Sequence, residues 1–146
     1  MKTYLKSLAI LVMTVMISGA TNDLHAQGSY VNSLISGMRD EGWELSENRT
    51  ADLREGMSTT WYYRTFNTGL EYKVIALSED DDVTDIDLVI CYSDGQPYKS
   101  SVDESEIAEV SFQPAKDRYL KIKMTNYASD TPYYRSQCNY LIFYRY

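Results

Sequence analysis

Apolar and polar positions alternate most regularly between Asp85 and Tyr92. Ile86, Leu88, Ile90 and Tyr92 fall on one face at period two, and Asp85 and Asp87 begin the other. A strand with one apolar face is half-buried and belongs to an antiparallel sheet. It ends in the turn chemistry of Ser93-Asp94-Gly95. Further strands are expected at Glu71 to Leu77, Thr84 to Tyr92, Tyr98 to Ser100, Ile107 to Phe112, Tyr119 to Tyr127 and Cys138 to Tyr146. Turn signals at Asp103-Glu104 and Pro114 to Asp117 separate them at the spacing of an all-β sandwich.

Upstream, Trp43 to Leu45 starts a strand expected to turn at Asn48 and return over Thr50 to Arg54. Glu55-Gly56 breaks the chain before Ser58 to Phe66, a Thr- and aromatic-rich strand, and Asn67-Thr68-Gly69 reads as a hairpin. The longest loop is expected at Ala128 to Arg135, where Pro132 argues against a central strand. Val31, Leu34, Ile35 and Met38 recur at helical spacing, with Ser29 as N-cap and Gly42 closing the turn. One short helix over residues 30 to 40 follows, placed over one end of the sandwich or serving as a mobile leader. The expected core joins Ile86, Leu88 and Ile90 to Tyr72, Val74, Ala76, Val110, Phe112, Leu120 and Ile122.

The first 26 residues read as a secretory signal. Lys2 and Lys6 form the charged region, and Leu8 to Ile17 is an apolar stretch of about ten residues, too short to span a bilayer. Cleavage is expected after Ala26, with Ala20 as the alternative. The division is therefore a signal at 1–26, a helical leader at 27–42 and a sandwich at 43–146. The chain carries a formal charge of −7, and loss of Lys2, Lys6 and Asp23 with the signal makes it −8. An acidic surface disfavours nucleic acid and anionic membranes, since each adds repulsion instead of counterion release. A secreted or periplasmic protein, with no membrane insertion after cleavage, is expected.

The stretch Asp85-Ile86-Asp87-Leu88 is preceded by Tyr72-x-Val74-x-Ala76 and followed, after a turn, by Ala108-x-Val110-x-Phe112. This arrangement resembles the bacterial pre-peptidase C-terminal domain family over residues 43 to 146. The resemblance implies a jelly-roll-like antiparallel β-sandwich that accompanies secreted enzymes, and some members of the family resemble calcium-binding modules. One departure stands out. The family places a Tyr in phase with the apolar positions that follow it, whereas Tyr119 shares a face with Lys121 and Lys123 and is out of phase with Leu120, Ile122 and Met124. Either the register shifts by one residue or Tyr119 is a surface aromatic.

The single histidine, His25, lies inside the signal, so the exported chain lacks the usual base of Ser and Cys hydrolases and the commonest zinc ligand. Asp82, Asp85 and Asp87, within an acidic run that starts at Glu79, are candidate oxygen ligands for Ca²⁺. The competing reading is an acidic loop that solubilises the entrance to a strand or hydrogen-bonds it. No other cofactor is expected. Cys91 and Cys138 are the only cysteines, and in an exported chain they permit one disulfide or two separately buried thiols. Fourteen tyrosines and two tryptophans form the last signal. Consecutive residues of a strand face opposite ways, so Trp61, Tyr62, Tyr63, Tyr119, Tyr133 and Tyr134 include outward rings able to stack on a glycan or anchor a protein. Together these features point to a non-catalytic binding or accessory module with a glycan or protein partner. The alternative is a small secreted hydrolase using paired carboxylates.

Overall fold

The computed structural model describes residues 29–146. The signal, both cleavage points and His25 lie outside the described residues. A helix, α1 (Ser29–Asp40), precedes eight strands: β1 (Glu44–Leu53), β2 (Tyr62–Phe66), β3 (Glu71–Ser78), β4 (Val83–Tyr92), β5 (Pro97–Ser101), β6 (Ile107–Phe112), β7 (Arg118–Ser129) and β8 (Ser136–Arg145). They form two four-stranded sheets with orders β1-β8-β3-β6 and β2-β7-β4-β5, antiparallel throughout. Two four-stranded sheets interleaved in this order make an eight-stranded jelly roll, so the expected fold class holds.

Every residue of the expected core is buried between the sheets, with Phe66, Met124, Cys138, Tyr140 and Ile142 added. Leu120, Ile122 and Met124 of β7 point inward, which makes Tyr119 the surface aromatic of the two alternatives. At one end of the sandwich, Phe66 meets Tyr72 edge-on at 4.8 Å and Phe112 at 5.1 Å. Edge-to-face packing suits the ring quadrupoles.

The first sheet is apolar on both faces. Ile75 and Leu77 of β3 and Leu141 and Phe143 of β8 point away from the sandwich, and α1 covers them with Val31 and Met38. The helix therefore lies over a sheet face and shares a core with it; it is neither an end cap nor a leader. Its two termini explain the placement. At the C-terminus, the Trp43 N–H donates to Met38 O and the Gly42 N–H to Arg39 O, both at 2.9 Å, with Gly42 at φ 84°. This is the Schellman pattern, and Met38 and Trp43 supply its apolar contact. At the N-terminus, the Val31 N–H donates to Glu79 Oε1 at 3.1 Å, so a carboxylate from the β3–β4 connection sits at the positive end of the helix.

Three local expectations are corrected. Residues 44–53 form one strand with no turn at Asn48, because Asn48 pairs with Leu141 and its side-chain oxygen accepts a 3.0 Å bond from Asn139 Nδ2. The segment from Ser58 enters the ladder only at Tyr62. Met124 N–H donates to the Thr59 hydroxyl instead of a backbone carbonyl, which leaves Ser58 as an isolated bridge to Thr125. Asn67-Thr68-Gly69 is a crossing between the two sheets and not a hairpin. Gly69 takes φ 81°, the Asn67 N–H donates to the Tyr72 hydroxyl, and the Thr68 N–H donates to Asp117.

Leu88 sits fully buried at the centre of the inter-sheet core. Leu88→Ala should therefore cost about 2–5 kcal/mol, whereas Tyr119→Ala should cost less than about 0.5 kcal/mol. Urea unfolding midpoints of the two variants against the wild type check both values.

Candidate functional site

The expected binding aromatics separate into three places. Trp61, Tyr63 and Tyr119 come together on the outer face of the second sheet. There Tyr63 pairs across with Lys121, and Thr65 with Tyr119. The Tyr63 and Tyr119 rings are 43% and 57% exposed and stack at 5.9 Å with 26° between their planes. Trp61, immediately before β2, lies against the Lys121 and Lys123 ammonium groups, 4.7 and 4.8 Å from its ring centroid. Strand geometry gives this grouping: Tyr119, Lys121 and Lys123 share a face at period two, and pairing of β2 with β7 brings Trp61 and Tyr63 alongside.

Tyr62 is not part of this face. It turns towards β1, donates to Glu47 Oε1 at 2.9 Å, and its ring carries the Arg49 guanidinium 3.6 Å above its centroid. Tyr133 and Tyr134, 88% and 70% exposed, lie in the loop after β7. Tyr119 stands near the other end of that 12-residue strand, roughly 35 Å away at the usual rise. The six candidate rings are thus not one surface.

The acidic segment lies at the Tyr134 end. A cavity of about 170 Å³ is lined by Tyr30, Leu77, Glu79, Asp80 and Glu106 among others. A shallower depression of about 500 Å³ runs from Glu79 through Asp82 to Tyr134 and Arg135. Burial, then Glu106 and Glu79, push the Tyr30 hydroxyl above its ordinary pKa. Three carboxylates here serve backbone donors: Glu79 accepts from Val31, Asp80 from Gln137 at 2.7 Å, and Asp85 from Ser105 at 3.3 Å. Asp85 thus takes the strand-entry role, at an irregularity in the β4–β7 register. Asp87 lies two residues on, with its carboxyl raised by desolvation and by Asp85. Among the described residues no group of three or more His, Cys, Asp or Glu side chains able to hold a metal ion is found.

Of the two readings of the cysteines, separately buried thiols are the one the fold takes. Both thiols are free and buried. Cys138 lies in the inter-sheet core, paired with Ser78 at the end of β3 where the chain leaves for β4. Cys91 lies near the far end of β4, a 10-residue strand roughly 30 Å long. A disulfide needs Cα atoms within about 7 Å.

Sequence reasoning noted Lys121 and Lys123 as companions of Tyr119 without assigning them a role. Their contact with Trp61 depends on the β2–β7 register, which no local pattern encodes. The functions of Glu79 and Asp80 were likewise hidden, because their partners Val31 and Gln137 are remote in sequence.

No protein-family model matches the chain, and no curated protein is similar to it in sequence. Several solved structures align with it over part of its length. A chain described under the disulfide-linked pili of Bacillus endospore appendages aligns at 10% identity with a TM-score of 0.44, over 71% of this chain and 87% of that one. Pseudomonas aeruginosa AlgX aligns at 16% identity with a TM-score of 0.42, over 68% of this chain but 26% of that one. The CBM36-1 domain of a multidomain xylanase from the hindgut metagenome of Trinervitermes trinervoides aligns at 14% identity with a TM-score of 0.31, over 70% of this chain and 90% of that one. None of these three is described as a pre-peptidase C-terminal domain. No helix among the described residues is long and apolar enough to cross a membrane.

Two outcomes follow from the polar groups at the acidic end and the thiols. Asp80→Ala leaves the Gln137 N–H without its acceptor and should destabilise by about 1–3 kcal/mol, read from chemical unfolding. For the cysteines, two thiols should titrate in denaturant without reductant, and dithiothreitol should leave the melting temperature unchanged. Burial pushes the Cys138 thiol from 9.0 up to about 11. A raised folded-state value stabilises fully below the unfolded value, so this contribution is present below about pH 9 and is lost as pH rises through about 11.

Proposed function

We propose that this protein is an exported, non-catalytic binding module that engages a glycan through Trp61, Tyr63 and Tyr119. One observation carries the reading: three aromatic side chains converge on a single sheet face, two of them stacked and largely open to solvent. Sugar rings present apolar C–H faces to flat aromatic surfaces, while tyrosine hydroxyls and lysine ammonium groups at the rim meet their hydroxyls. The strands that carry these rings are anchored by a buried core, so the platform is preorganised and little ordering cost opposes binding.

The acidic end favours binding over carboxylate hydrolysis as the protein's role. Asp80 and Asp85 already accept backbone N–H bonds that hold loops in place, and a catalytic acid or nucleophile has to be free for substrate. Export and an accessory role beside secreted or cell-surface enzymes follow from the signal-like first 26 residues and from the resemblance to the pre-peptidase C-terminal domain family. A divalent cation has no part in this reading.

Affinity electrophoresis against a panel of neutral and acidic polysaccharides tests it. The wild type should be retarded by at least one member. Trp61→Ala should weaken that binding at least about tenfold, equivalent to about 1.4 kcal/mol, while paired Tyr133→Ala and Tyr134→Ala changes should leave it intact. Absence of binding to every polysaccharide, or binding indifferent to Trp61, overturns the proposal.

A further inference from the structure

We infer that the aromatic face selects an anionic glycan, a polysaccharide whose sugar rings carry carboxylate groups, and that Lys121 and Lys123 make the selection. The inference rests on the glycan reading above and deepens it.

Two cations on one ring are the starting point. Lys121 Nζ and Lys123 Nζ both lie within 4.8 Å of the Trp61 centroid. Both side chains are half-buried at the sheet surface, and among the described residues neither ammonium has a carboxylate within ion-pairing distance. Lys121 donates only to a backbone carbonyl, Ser93 O, at 3.4 Å. The other lysine with an ammonium over a ring, Lys73, is different: it lies over Trp43 and is also paired with Glu109 at 3.1 Å.

Two like charges share one ring, each within 4.8 Å of its centroid, so they lie close enough to repel each other despite the roughly 8 Å screening length of physiological salt. The indole face offsets part of that repulsion, each cation–π contact contributing about 0.5–1 kcal/mol at an exposed site. An anion seated beside the ring relieves the remainder. This happens on a chain of net charge −7, where the default for surface cations is an acidic neighbour. Asp87, opposite Thr125, is the nearest acidic residue along β4 on this face, and among the described residues it forms no ion pair with either lysine. The face is therefore cationic within an acidic molecule, and its charge complements a negative ligand.

Ring stacking and charge then act together. Trp61, Tyr63 and Tyr119 hold sugar faces, and the lysines at the Trp61 edge take the carboxylates that project from the same rings. A neutral glycan uses the first set of contacts alone.

Polygalacturonate and its fully methyl-esterified form, which share one backbone and differ in charge, serve as probes in titration calorimetry at low and high sodium chloride. The wild type should bind the acid form more tightly than the ester, and added salt should weaken only the acid form. The double variant Lys121→Gln and Lys123→Gln should lose roughly two- to thirtyfold in affinity for the acid form, the range spanned by two partly exposed ion pairs. Its affinity for the ester should be unchanged. The double Arg variant retains charge and should restore binding, which separates charge from packing should the Gln variant be misfolded. Equal affinity for the two polymers, or Gln and Arg variants that match each other on the acid form, overturns the selectivity while Trp61-dependent binding keeps the glycan reading intact. Failure of the wild type to bind either of these polymers or any polysaccharide of the wider panel overturns both.

Discussion

The sheet formed by β1, β8, β3 and β6 is apolar on both faces, and most of the architecture answers to that constraint. On β8, Cys138, Tyr140 and Ile142 face the sandwich interior while Leu141 and Phe143 face the opposite way. A strand of this kind has to be covered twice. The second sheet supplies one cover and α1 the other, which is why the helix belongs to the domain. Burial on both sides also suppresses ionisation: the Tyr140 hydroxyl is pushed up to about 12, chiefly by desolvation.

Covering both faces requires the helix to be held in register, and the acidic connection after β3 does this with polar bonds. Glu79 reaches the first turn of α1 through its side chain and β8 through its backbone, whose N–H donates to Gln137 O at 3.1 Å. Asp80 accepts from Gln137 N–H. Two adjacent residues thus tie helix, connection and central strand together. Half of the acidic residues in a run that looks like a ligand cluster in the sequence, Glu79, Asp80 and Asp85, are backbone acceptors in the fold.

The opposite sheet has an outer face that α1 does not cover. Tyr63 and Tyr119 stack on each other and remain open, and Trp61 gathers two lysines. The rigidity of the jelly roll and the freedom of this face go together, since positioned side chains on well-anchored strands make a platform without an ordering cost at binding.

Strand periodicity, turn residues and β-propensity were sufficient to determine that the chain is an antiparallel sandwich, that Ile86, Leu88, Ile90 and their partners are its core, and that a short helix precedes it. Those features are local, written in spacings of two and three to four residues. Tyr119 was legible as a possible surface aromatic for the same reason. The local code failed where a remote partner decided the outcome: Asn48 stays in a strand because Asn139 bonds it, and Asn67 to Gly69 crosses between sheets because of Tyr72 and Asp117. It also could not tell that Cys91 and Cys138 lie far apart, or that Trp61, Tyr63 and Tyr119 meet while Tyr62, Tyr133 and Tyr134 go elsewhere. Alternation says which face of its own strand a residue takes, whereas which strands become neighbours, and in what register, is set by the packing of the whole chain.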